Sequence, residues 1–193
     1  QQMAVGSLAH DQVGLDDRLF LQLGGRLDVN SSFGGEADYF FLPKAGVSWV
    51  LSEESFFDRF SGVVPTLRLR AAYGQTGRSP AVGASLRTYE AAPYAIDGGA
   101  LGAGVVPFNP GNQELRPERG REIEAGFDAG LFGDRIGLEA TWFHKRSTDL
   151  LVRRPVAPSE GYVDPSDLGR SFPYANLGEA VNEGIEFGAR VMF

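Results

Sequence analysis

The sequence predicts an all-β chain of antiparallel up-and-down strands, and three observations carry that expectation. Apolar residues recur at every second position in several runs. In one of them Ile123, Ala125, Phe127, Ala129 and Leu131 alternate with Glu122, Glu124, Gly126, Asp128 and Gly130, and a period of two places each series on its own face of a strand. The chain holds 26 glycines without a collagen-like period, which suits turns and crowded strand crossings and disfavours a mostly helical fold. The segments joining the runs alternate between short and long.

Taken in order, residues 6–12 read as a partial strand. Leu19, Leu21, Leu23, Leu27 and Val29 then share a face opposite Gln22, Arg26 and Asp28. In residues 38–51, Tyr39, Phe41, Ala45, Val47, Trp49 and Leu51 are in register, but Pro43 interrupts the ladder and predicts a local defect or an exposed edge. Leu67, Leu69, Ala71 and Tyr73 lie opposite Arg68 and Arg70. The Glu122 run is followed by "FGDR" and a second alternating run, with Ile136, Leu138, Ala140 and Trp142 opposite Gly137, Glu139, Thr141 and Lys145. That pair reads as a hairpin whose Gly133-Asp134 centre suits a tight primed turn. A last strand spans residues 174–193, with Ile185, Phe187, Ala189, Val191 and Phe193 on one face.

Composition removes several function classes. A net charge of -7 gives no surplus of Lys and Arg for a phosphate backbone, so nucleic acid is not an expected partner. Zero cysteines exclude disulfides, thiolate metal sites and cysteine nucleophiles within the chain, without locating its compartment. The opening "QQMAVGSLAHDQVGLDD" has no basic segment leading into an apolar one and does not read as a signal peptide. No run of about 18 apolar residues is present to form a spanning helix.

Residues 77–117 and 153–173 form connections far longer than the median of about 4–6 residues. They fall at one end of the strands, and the short ones at the other. This alternation, with strands near the ~9–11 residues of a membrane strand, fits a transmembrane β-barrel with short periplasmic turns and long extracellular loops. Trp49, Tyr73 and Trp142 would then contribute to interfacial girdles. A soluble β-sandwich or β-solenoid shows the same alternation, with core on one side and water on the other, so periodicity and loop length leave both readings open.

Five stretches in order bear on that choice: "DDRLFLQLGGRLDVNSSFG", "PKAGVSWVLSEESFF", "LRLRAAYGQTGRSP", "NQELRPERGREIEAGFDAGLFGDRIGLEATWFHKRSTDLL" and "NLGEAVNEGIEF". Together they resemble the C-terminal half of the barrel in TonB-dependent outer-membrane receptors, particularly the SusC/RagA-like branch. The resemblance spans most of residues 6–187. It implies a partial transmembrane β-barrel, residues 1–193 as one barrel fragment, in the outer membrane of a Gram-negative bacterium. It also implies uptake of a nutrient ligand such as an oligosaccharide, a peptide or an iron chelate. The implied partners are outer-membrane lipid, the receptor's own plug domain, the TonB complex acting through the N-terminal part, and a SusD-like surface lipoprotein.

The chain shows no plug and no TonB-contacting motif, and six long strands fall short of the ~8 of the smallest closed membrane barrels. It is therefore read as part of a receptor. Phe187, Ala189, Val191 and Phe193 resemble the aromatic end by which outer-membrane barrels are recognised for assembly, although a strand cut anywhere would look the same. The runner-up reading is a secreted β-rich binding or adhesin module; a passive porin ranks third.

No catalytic constellation emerges. Glu122 and Glu124 stand about 7 Å apart on one strand face, which suits a solvated wall better than a glycosidase pair flanking a substrate. Glu183 and Glu186 are read alike. His10 and His144 lie outside any metal-binding spacing, so neither a metal nor a cofactor is expected. "DGGALGAG" lacks the ending of a phosphate-binding loop. Arg68, Arg70, Glu122, Glu124, Asp128 and Glu139 are expected to face the lumen. For ligand contact the candidates are Arg87, Tyr89, Tyr94, Asp97 and Phe108 in the long outer loop, where aromatic rings can stack and charged groups can hydrogen-bond.

Overall fold

The computed structural model describes residues 4–30, 38–81, 83–95, 101–162 and 173–192. Asp97 and Phe193 lie outside the described residues. Among those described, seven long strands form one antiparallel sheet: β1 (Ala4–Leu15), β2 (Leu19–Asn30), β3 (Asp38–Val50), β4 (Thr66–Arg78), β7 (Glu118–Leu131), β8 (Ile136–Thr148) and β11 (Glu179–Val191). Their order in the sheet follows their order in the chain, and each is 12 to 14 residues long. Hairpin β5 (Thr88–Ala95) and β6 (Leu101–Asn109) stands between β4 and β7, and the short pair β9 (Leu151–Arg153) and β10 (Tyr174–Asn176) between β8 and β11.

Three details of the strands differ from the sequence reading. The partial strand near residues 6–12 is a full strand, paired with β2 along its whole length. The last strand is divided, because Gly178 takes a positive φ of 77° and separates β10 from β11. The 77–117 connection contains the β5–β6 hairpin.

The two longest connections, between β4 and β7 and between β8 and β11, fall at the opposite end of the sheet from the tight turns. Residues 16–18 and 132–135 close tight turns. The third connection at that end, residues 51–65, is compacted by two helical turns in which Phe57 is buried beside Phe60, with ring centroids 5.5 Å apart. Asp16 and Asp17 have φ of 51° and 54°, and the Arg18 amide donates to the Leu15 carbonyl at 3.0 Å. Positive φ at two adjacent central residues is the primed geometry that matches strand twist. The 132–135 turn is wider than the expected two-residue turn: Phe132, Gly133 and Asp134 all have positive φ. Gly133→Ala should therefore cost about 1 kcal/mol from backbone strain alone, since no neighbouring atom would touch the added carbon. Urea unfolding of the intact protein in lipid would measure it.

Pro43 acts as its chemistry requires. β3 pairs with β2 past Pro43, but its ladder to β4 runs only from Lys44 to Val50 and stops at the residue without an N–H.

The two faces of the sheet are chemically distinct. Register places Leu19, Trp49, Leu69, Phe127, Ala140 and Phe187 on one face, along with Leu23, Trp142 and Ile185. Few large side chains are buried among the described residues, whereas Leu23, Phe187 and Ile185 are 65%, 68% and 75% exposed. In water, exposed apolar surface costs roughly 25 cal/mol per Å² relative to burial. A face this apolar requires an apolar neighbour.

Candidate functional site

The opposite face carries the charges. Arg68 and Arg70 of β4, Glu122, Glu124 and Asp128 of β7, and Glu139 of β8 all share it, since Arg68 is the register partner of Asp128 and Asp128 of Glu139. Asp128 is the hub. Its Oδ2 accepts from Arg68 Nε at 2.9 Å and Nη2 at 2.7 Å, and its Oδ1 lies 3.1 Å from Arg70 Nη1. Arg70 also donates from Nη2 to Thr141 Oγ1 at 2.5 Å. One carboxylate of β7 thus orients two guanidiniums of β4, and Arg70 extends the network to β8.

Gly126 makes that arrangement possible, because a Cβ there would overlap the Ala140 carbonyl and sit 3.2 Å from Arg70 Nε. Further along, Glu122 pairs with Lys145 at 3.3 Å. Glu124 faces Ala72 and Phe143. Near the short-turn end this face borders a concavity of about 570 Å³ reached by Thr66, Asp128, Asp134, Glu139 and Arg190. The pairs are partly exposed, so each contributes only ~0–1 kcal/mol. Their role is to order charge on a wet surface.

The candidate ligand residues do not gather. Tyr89 and Tyr94 are both exposed on β5, but they are five residues apart and point to opposite faces of the hairpin. Phe108 falls where the register shifts, between Pro107, the partner of Tyr89, and Asn109, the partner of Thr88, so it has no register partner on β5. Arg87 precedes β5, packed by its backbone against Gly111. Among the described residues the set offers separate contacts rather than one cluster.

Sequence reasoning missed a junction at the outer rim. Asn176 accepts from the Arg116 amide at 2.8 Å and donates through Nδ2 to the carbonyls of Arg116 and Asp149, both at 2.8 Å. Asn112 donates to the Tyr174 carbonyl at 3.2 Å, and the Arg153 guanidinium lies over the Tyr174 ring at 5.4 Å. Leu115, Ala84 and Val156 are buried in these outer segments. The clamp borders a polar concavity of about 480 Å³ carrying Glu114, Arg116, Asp149, Arg154 and Glu160. The sequence signal available was Asn176-Leu177-Gly178, an Asn and a helix- and strand-breaking Gly just before a long strand.

Among the described residues no cluster of His, Asp and Glu could hold a metal ion, and no helix is long and apolar enough to cross a membrane. The fold and its faces define the wall of an open-edged β-barrel with one apolar and one charged surface. Residues 2–193 match the family described as "TonB dependent receptor-like, beta-barrel", and the chain belongs to that family.

It is 30% identical over 167 residues to TonB-dependent receptor P3 of Formosa agariphila, an alignment covering 84% of this chain and 15% of that protein. The chain thus spans a small part of the length of this relative. Among solved structures, the RagAB peptide importer in its closed-closed state superposes with a TM-score of 0.79 at 22% identity, covering 96% of this chain and 19% of that one. The siderophore receptor PirA from Pseudomonas aeruginosa superposes with a TM-score of 0.63 at 18% identity, covering 96% and 30%. At these identities the two structures establish the shared fold. TonB-dependent receptors are outer-membrane β-barrels that serve as receptors and transporters rather than enzymes.

Proposed function

We propose that, in the intact receptor, this chain is a wall segment of an energy-coupled importer in the outer membrane of a Gram-negative bacterium. The observation that carries this reading is the exposed apolar face set against the charged one. The apolar series faces lipid. Arg68, Arg70, Glu122, Glu124, Asp128 and Glu139 face a water-filled lumen and the plug domain. The TonB complex acts through the N-terminal part, and a SusD-like lipoprotein is the surface partner, a reading supported by the likeness to the RagAB importer.

The outer loops capture the nutrient ligand. Arg87, Tyr89, Tyr94, Asp97 and Phe108 supply dispersed contacts there, and the rim concavity beside Asn176 adds a charged one. A peptide, an iron chelate or an oligosaccharide each presents the charged, hydroxyl or flat groups that such side chains bind. Peptides and siderophores are the cargo named for the two structural neighbours.

The chain has no cysteine, so single cysteines can be placed in it within a receptor whose remaining segments have been made cysteine-free. A fluorophore at Ala140 or Phe187 should be quenched strongly by spin-labelled acyl chains in reconstituted receptor. The same fluorophore at Glu124 or Thr141 should respond to an aqueous quencher. Equal aqueous quenching on both faces would sink the membrane reading and favour a soluble β module.

A further inference from the structure

The apolar face is interrupted at its long-loop end by a cluster of charge. On β7, Arg121 and Arg119 follow Ile123 on this face. On β8, His144 and Arg146 follow Trp142, and on β11, Glu183 and Glu179 follow Ile185. Two of these groups are internally matched. Arg146 Nη2 lies 2.7 Å from Glu179 Oε2, and His144, stacked on Trp142, lies 3.0 Å from Glu183 Oε2.

Arg119 and Arg121 have no carboxylate within ion-pair distance among the described residues. On the β4 side their register partners are Gly77 and Gln75, and the Gln75 amide is engaged with the Tyr73 hydroxyl. Arg121 is also the register partner of Arg146 on the same face. Like charges directly opposite on neighbouring strands are destabilising. Their Cα atoms are about 5 Å apart by antiparallel geometry, and Arg119 is about 7 Å further along the strand. The exposed guanidiniums of Arg119 and Arg121, together with the N–H groups of Arg146 that Glu179 leaves free, can therefore converge on one anion.

We propose that Arg119, Arg121 and Arg146 form a binding site for the phosphate of an anionic lipid headgroup in the outer leaflet. This rests on the membrane reading above, because that reading puts lipid against this face. The chemistry is specific. Planar guanidiniums bind phosphate oxygens in pairs, an anion beside Arg119 and Arg121 supplies the negative charge that Glu179 supplies to Arg146, and the acyl chains lie on the adjoining surface of Ile123, Trp142 and Ile185. A second copy of this chain would present the same Arg pair and add to the repulsion, so lipid fits better than self-association.

The test is a titration of the intact receptor in mild detergent with a bisphosphorylated lipid A and with its dephosphorylated counterpart, read by native mass spectrometry. The wild-type receptor should bind the phosphorylated lipid at least tenfold more tightly. R119Q/R121Q should lose about tenfold for the phosphorylated lipid, the loss expected of one or two charge-assisted hydrogen bonds, with no change for the dephosphorylated one. Lys145→Gln, on the other face, should leave the preference intact.

Equal affinity of the wild-type receptor for the two lipids overturns the proposal. So does an unchanged preference in R119Q/R121Q. The comparison of lipids on the wild-type receptor requires no variant, so the proposal stays refutable even where a mutant misfolds. Failure of the membrane reading is separate and is seen in the acyl-chain quenching at Ala140 and Phe187.

Discussion

Phe127→Arg in the intact receptor is expected to lower stability in lipid vesicles by about 2–4 kcal/mol, the cost of a cation at the bilayer midplane on the outside of a barrel. Phe127 sits in the middle of the apolar series of β7, between its register partners Leu69 and Ala140. Glu124→Arg is three residues away on the charged face, where Glu124 has no ion pair among the described residues. It should change stability by no more than about 0.5 kcal/mol. Leu131→Arg, at the short-turn end of the same apolar series, should cost only about 0–1 kcal/mol because the head-group region can solvate the cation.

Urea titration of folded receptor, followed by the shift of the folded band on a gel, reads all three. A cost at Phe127 well above those at Leu131 and Glu124 is the signature of lipid. A protein core would penalise Phe127→Arg according to the size of the cavity and the unpaired charge, without regard to depth along the strand. Equal costs at Phe127 and Leu131 would therefore point to a protein neighbour on this face and overturn its assignment to lipid.

The strands were legible because the pleat repeats with a period of two, and residues such as Ile123 to Leu131 declare their faces without any tertiary information. Pro43 was legible for a similar reason, since a missing N–H is a local property. The β5–β6 hairpin was not. Pro93 and Pro107 fall inside its strands, and Gly102 and Gly104 occupy one of its faces, so the alternation that marks the other strands is lost.

The charged face was legible as a face, but not as a network. Asp128 and Arg68 are 60 positions apart, and only the register of β4 against β7 makes the one the partner of the other. The candidate ligand residues were chosen by chemical type within a loop. The structure separates Tyr89 from Tyr94 because hairpin pairing puts residues an odd number apart on opposite faces.

Asn176 shows the same limit at the outer rim and leads to the second large effect. Its amide bonds reach Arg116, 60 positions away, and Asp149, 27 positions away, so no local pattern could announce them. Asn176→Ala should remove all three bonds and loosen the rim by about 1–3 kcal/mol. The loss would appear as faster hydrogen exchange in residues 109–117 and 149–153, with the paired stretches of β7 and β8 unchanged.

Asn176→Asp is the sharper test. The carboxylate matches the amide in shape and can still accept from the Arg116 amide, but it replaces the two donated bonds with repulsion against the carbonyls of Arg116 and Asp149. If Asn176 clamps the loops, Asp must be at least as damaging as Ala despite its closer shape. If the position needed only polarity, Asp would be tolerated and Ala would not. The order of those two variants decides whether the outer loops are held in place by one side chain or merely lie beside it.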